Sequence, residues 1–220
     1  MPYDKLAIFD LDNTLLTGDS DHAWGEFLIA EGLVDGASHK HKNDKFYQDY
    51  CEGELDIYAY QAFALSAIKG KSPGSLTELH QKFMLTHIEQ MIGPKALDLI
   101  NNHNRQNHQL LIITATNDFI TAPIAKRLGI DSLLGCQAEI VEGKYTGNIT
   151  GTPCFQEGKV KRLNEWLQGR DFTLNDCYFY SDSYNDLPLL EAVAQPTAVD
   201  PDEKLRAHAK QKGWPIISLR

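Results

Sequence analysis

The chain has 220 residues, 42% of them hydrophobic and 23% charged, and a formal net charge of −9. Length and composition are those of a globular chain with one large domain, or with a core and a small satellite. The acidic balance excludes a general nucleic-acid binder, which needs a basic surface to release counterions, but allows a phosphorylated ligand, which needs only local positive charge.

The first residues, MPYDKLAIFDLD, carry acids where a signal peptide would carry its apolar stretch. No apolar run approaches the ~20 residues of a membrane span. Cys51, Cys136, Cys154 and Cys177 lie far apart with no C-x-x-C pair. We expect them to be reduced and at least semi-buried, in a cytoplasmic protein that has no membrane or nucleic-acid partner.

In chain order, Leu6-Ala7-Ile8-Phe9 reads as a fully buried strand. Asp10 and Asp12 follow at once, with Thr14 two residues on. In an extended chain these three would share one side, although Asn13 and Gly18 suggest an early turn. Two acids at the exit of a buried strand are costly for folding, and a hard cation such as Mg²⁺ is the natural neutraliser.

Between Asp21 and about Gly93 apolar residues recur at helical spacing, through Trp24, Phe27 and Leu28 to Phe83, Ile88 and Ile92. Breaks are expected at 32–36, 51–55 and 69–75, with Ser75 or Thr77 capping the last helix. The histidines of SHKHKNDK, His39 and His41, read as part of a solvated loop. The spacing thus predicts an all-helical insert over residues 17–92, and a core formed by residues 1–16 and 93–220.

After Gly93-Pro94 strands and helices alternate. Strands are expected at 109–116, 176–182 and 196–200, and helices at 94–105, 118–128, 157–168, 186–194 and 201–213. The stretch from Leu133 to Gly151 reads as a strand followed by a hairpin turning at Glu142-Gly143, and 214–219 as an edge strand. This alternation means an α/β fold with a doubly wound parallel sheet, whose ligands bind beyond the carboxyl ends of the strands.

Polar residues collect at those ends. Thr114 and Ala115 lie where a strand passes into a helix, as either a phosphate-binding turn or an ordinary N-cap. Lys159 opens the helix GKVKRLNEW, where the macrodipole disfavours a cation, and Lys161 competes for the same role. Asp182 and Asp186 stand four apart beyond another buried strand, where either could simply be an N-cap.

FDLDNTLL resembles motif I of the haloacid dehalogenase (HAD) superfamily, most of whose members are Mg²⁺-dependent phosphatases. Thr114, the Lys159 of GKVKRL, and Asp182 with Asp186 in YSDSYNDLPLL match its other three motifs in order, in the manner of the phosphoserine-phosphatase-like branch with its helical cap. The resemblance implies that Asp10 is a nucleophile forming an aspartyl-phosphate and that Asp12 is the general acid and base. It also implies that Thr114 and Lys159 bind phosphoryl oxygens. Mg²⁺ would be held by the carboxylates of Asp10 and Asp182 and the Asp12 carbonyl, with Asp186 orienting a metal-bound water. Asp12 separates phosphoryl chemistry from dehalogenation, which lacks that acid. A phospho-accepting receiver module would be about half this length and would have no helical insert, and a catalytically dead binding protein would not keep every charged position.

In the resembling phosphoserine phosphatases an acid nine residues after the nucleophile, here Asp19, binds the amino group, and a cap Arg grips the carboxylate. No Arg precedes Arg105. The expectation is therefore a small phosphomonoester metabolite with a cationic amine and no carboxylate. Histidinol phosphate fits best, its imidazole stacked on Trp24 or Tyr47 and His22 beside motif I. Phosphoserine or another amino-alcohol phosphate is the alternative. Asp19 and Asp21 would otherwise merely cap the first helix of the insert. The sequence allows a monomer or a homodimer.

Overall fold

The computed structural model describes residues 3–220. Among these residues seven strands form one sheet: β1 (Leu6–Phe9), β2 (Gln109–Asn117), β3 (Ser132–Val141), β4 (Lys144–Thr150), β5 (Cys177–Ser181), β6 (Gln195–Val199) and β7 (Ile216–Ile217). Their order is β4-β3-β2-β1-β5-β6-β7. Every pairing is parallel except the β3–β4 hairpin. That hairpin turns at Glu142 and Gly143, both with positive φ (51° and 75°), which matches the right-handed strand twist.

β1 is central because all four of its side chains are apolar and fully buried. They alternate between two layers. Ala7 and Phe9 pack with the residues of α6 (Pro94–Arg105) and α7 (Asp118–Arg127), whereas Leu6 and Ile8 pack with α8 (Glu157–Leu167), α9 (Leu187–Ala192) and α10 (Glu203–Lys212). The chain winds outward in both directions from β1, so the sheet is doubly wound as expected. Its switch point is where the C-terminal ends of β1, β2 and β5 meet.

Between β1 and α6 the regular elements of the described residues are helical: α1 (Ser20–Ala30), α2 (Gly36–Glu52), α3 (Ile57–Ala64), α4 (Thr77–Phe83) and, beyond a wider turn over Met84–Ile88, α5 (Glu89–Met91). The segment leaves and rejoins the sheet layer side by side. Leu16 bridges Ile92, and the Thr17 amide donates to the Met91 carbonyl at 2.8 Å.

Three local expectations are corrected. SHKHKNDK lies inside α2, which Asp35 caps through the Ser38 amide and which Lys40–Asp44 and Lys45–Asp49 support at i,i+4. His39 is buried against Phe63. The N-cap before α4 is Ser72, opening a short 3₁₀ turn over Pro73–Leu76, and neither Ser75 nor Thr77 caps a helix here. Cys51 is exposed, while the other three cysteines are buried and all four are free. No helix among the described residues is long and apolar enough to cross a membrane.

Candidate active site

β1 ends at Phe9, and its ladder carries on for one more bond, from the Asp10 amide to the Tyr180 carbonyl at 2.9 Å. The backbone then turns sharply. Asn13 takes a left-handed conformation (φ 55°), for which an Asn is well suited. Arg220 binds the Asn13 and Leu16 carbonyls from outside this turn. The turn brings Thr14 to Asp182: the Thr14 hydroxyl donates to Asp182 Oδ1 at 2.9 Å and accepts from the Asp182 amide at 3.0 Å.

Lys159 lies between two carboxylates. Its Nζ is 2.8 Å from Asp10 Oδ1 and 2.7 Å from the Asp186 carboxylate, and all three residues are at least 96% buried. Lys159 stands at the N-terminus of α8, and Gly158 lets that helix start close in, since a Cβ there would sit 2.1 Å from the Pro153 carbonyl oxygen. Lys161 is exposed on the same helix. Asp186 also accepts from the Ser181 hydroxyl at 2.7 Å, so its carboxylate fixes Lys159 from behind. It caps no helix; Ser183 does that for the turn over Tyr184–Asp186.

The Asp12 carboxylate accepts from the Ser20 amide (2.6 Å) and the Thr116 hydroxyl (2.7 Å). Thr114 is buried, and its hydroxyl accepts from the Thr116 amide at 3.2 Å. The N-cap of α7 is Asn117, which removes the simple capping role considered for Thr114. Gln61 of α3 reaches across to this turn. It donates to the Ala115 carbonyl at 3.0 Å and accepts from the Asn117 side chain at 3.2 Å.

Burial dominates the electrostatics. It raises Asp10 to about 7 against the opposing pull of Lys159, and raises Asp12 to about 7 with help from the Asp19 charge. Asp182 is pushed well up by burial and then by Asp10. Burial presses Lys159 down, but the carboxylates of Asp10 and Asp186 outweigh it and hold the ammonium charged.

Asp10, Asp12, Asp19, Thr114 and Ala115 line one cavity of about 40 Å³, together with Asp21 and aromatic residues of α2 and α3. Asp182 lines an adjoining outer cleft of about 670 Å³, and Asn13, Tyr47 and Tyr50 belong to both. His22 lies outside the inner cavity, with its ring 5.3 Å from Tyr47 and its Nε2 3.3 Å from Asp44. Trp24 is packed among Phe27, Phe83 and Phe119 and cannot stack on a ligand, whereas Tyr47 can. Among the described residues no hydrogen bond reaches the second oxygen of Asp10 or of Asp182. Two unengaged carboxylate oxygens are hard donors, which suit Mg²⁺. The Asp12 and Asp186 side chains are already engaged by protein donors.

Sequence reasoning passed over Thr116, Ser181 and Gln61. The first two stand next to singled-out residues in TAT and YSD, which was the available signal. Gln61 is one polar residue in the apolar stripe IYAYQAFA.

The family model for haloacid dehalogenase-like hydrolases matches residues 7–191. A histidinol-phosphatase of Neisseria meningitidis serogroup C (strain 8013) is 47% identical over 220 residues, which cover 98% of this chain and 99% of that protein. A solved structure of a protein of unknown function from Bordetella pertussis Tohama I is 42% identical, with a TM-score of 0.92 over 99% of this chain and 100% of that one. A phosphoserine phosphatase solved as a phospho-aspartyl intermediate analogue has a TM-score of 0.71 over 99% of this chain and 94% of its own; at 16% identity the likeness is one of fold.

Proposed function

Because the chain belongs to the haloacid dehalogenase-like hydrolase family and is a phosphoric monoester hydrolase, we propose that it cleaves a small cationic phosphomonoester through an aspartyl-phosphate on Asp10. The observation that carries this reading is the buried Asp10–Lys159–Asp186 array at the end of β1, with Asp12 two residues away. Lys159 holds one Asp10 oxygen and aims the other at the cavity, where it attacks phosphorus as the ester oxygen leaves. Asp12, with a proton affinity near neutrality, protonates that leaving oxygen and then takes a proton from the water that cleaves the intermediate. The Thr114 hydroxyl, the amides of its turn and Lys159 bind the phosphoryl oxygens.

Phosphatases of this family are generally Mg²⁺-dependent. The carboxylates of Asp10 and Asp182 and the Asp12 carbonyl would hold Mg²⁺, which when bound neutralises charge spreading over the phosphoryl group. Asp186 acts at one remove, by positioning Lys159.

Residues 17–92 serve as a cap that determines specificity, and histidinol phosphate is the substrate we favour. Support comes from the 47%-identical histidinol-phosphatase and from an inner cavity lined by acids and aromatics. Phosphate release from histidinol phosphate by the wild type and by Asp10→Asn tests the reading. The wild type should turn over and the nearly isosteric variant should not, while keeping its fold by circular dichroism. Appreciable activity in Asp10→Asn would falsify the aspartyl-phosphate route.

A further inference from the structure

The inner cavity contains a carboxylate that the phosphoryl chemistry leaves unused. Asp21, the second residue of α1, is 97% buried, and neither of its oxygens accepts a hydrogen bond of proper geometry. The Tyr60 phenol lies near enough to ease its charge as a weak donor, short of hydrogen-bond geometry. Burial first, and then the charges of Asp19 and Asp12, push its proton affinity well up. A buried, unpaired carboxylate is among the most costly groups a fold can retain. Asp19, two residues earlier, is already engaged: its Oδ1 accepts from the amides of Asp21 (2.9 Å) and His22 (2.8 Å) as the N-cap of α1.

We infer that Asp21, rather than Asp19, receives the protonated nitrogen of the substrate, in a subsite walled by Phe46, Tyr47, Tyr50 and Tyr60. The inference rests on the proposed phosphatase function and specifies its substrate class: a phosphomonoester with a cationic nitrogen and no carboxylate. Three features of the cavity converge on that class. Its lining holds Asp10, Asp12, Asp19 and Asp21 and no Lys, Arg or His, so a ligand cation is attracted and a ligand carboxylate repelled. A protonated nitrogen gives the unpaired Asp21 oxygens the charge-assisted hydrogen bonds they lack. Tyr and Phe rings offer their negative faces to the same cation.

The test compares kcat/KM for histidinol phosphate and for 4-nitrophenyl phosphate, which has no cationic nitrogen, in the wild type, Asp21→Asn and Asp19→Asn. Asn preserves the N-cap at position 19 and is close to isosteric at position 21. In Asp21→Asn the preference for histidinol phosphate should fall by about 30-fold or more, mainly through KM, the scale expected when one partner of a buried charge pair is removed. Asp19→Asn should change that preference much less. An equal loss on both substrates in Asp21→Asn, or an unchanged preference, overturns the subsite but not the phosphatase. A wild type that releases phosphate from neither compound overturns the enzymatic reading and the subsite with it. Should Asp21→Asn fail to fold, the wild type decides alone, with phosphoethanolamine and its amine-free isostere propyl phosphate. A preference of about 10-fold or more for the amine supports the subsite, and equal rates overturn it.

Discussion

Lys159 pairs one ammonium group with two acids, and the proposed chemistry uses that same group. It neutralises two buried carboxylates at 2.7–2.8 Å. Removing one partner of such a buried array costs about 3–5 kcal/mol, because uncompensated charge is left behind. Lys159→Met should therefore lower the urea midpoint substantially at neutral pH as well as abolish phosphate release. A midpoint within error of wild type would mean that the array contributes little to the stability of the fold. Thr116 acts on Asp12 in the opposite sense from burial: its hydroxyl at 2.7 Å stabilises the ionised form. Thr116→Val should raise the proton affinity of Asp12 and move the basic limb of the kcat–pH profile to higher pH. A limb that stays in place would take Asp12 out of the acid role.

At the scale of elements, α6 meets the sheet through a buried polar chain. His103 Nδ1 lies 2.8 Å from His108 Nδ1, and His103 Nε2 lies 2.9 Å from the Tyr180 hydroxyl. Burial, and then the neighbouring His108, lower His103 to about 4 from the usual 6.5. The unfolded chain thus binds a proton that the folded one refuses. This contribution to stability is complete above about pH 6.5 and is lost progressively as the pH falls towards about 4. Urea midpoints between pH 7 and pH 4.5 should fall in the wild type, and less steeply in His103→Gln. Equal slopes would separate the pair from acid sensitivity. Gln61 is the comparable link from α3 to β2, and Gln61→Leu should cost about 1–3 kcal/mol by stranding the Ala115 carbonyl and the Asn117 amide. An unchanged urea midpoint would show that water replaces both bonds. Neither link was legible in the sequence. Apolar periodicity exposes which face of a helix is buried, and the alternation of strands and helices located all seven strands and the ends where polar residues collect. It does not say which polar residue on α3 meets which carbonyl more than fifty positions away. Asp21 was legible as a charge near motif I. That it is the unpaired carboxylate, with Asp19 engaged as an N-cap, depended on how α1 begins. His39 was misread because a highly charged run hides its helical period when i,i+4 ion pairs replace apolar contacts.

For the molecule as a whole, the concentration of like charge between sheet and helical segment sets its response to metal. Mg²⁺ should raise Tm as well as restore activity after EDTA treatment, because a ligand that binds only the folded state stabilises it by mass action. Asp182→Asn should blunt the Tm shift, and Ca²⁺ should restore little turnover, its looser coordination misplacing the attacking oxygen. Full activity in excess EDTA would rule out the metal site. The position of β1 has a separate consequence, for synthesis. Leu6 pairs with Gln109 on one side and Cys177 on the other, so β1 is made long before either of the strands that flank it. At ~5–20 residues per second, the ribosome needs roughly 5–20 s to deliver the first partner and about twice that for the second. Throughout that interval four apolar side chains wait on a nascent chain whose early helices can fold locally but cannot cover them. Chaperone capture of stalled chains should therefore rise before β2 emerges and drop sharply only once β5 has left the exit tunnel.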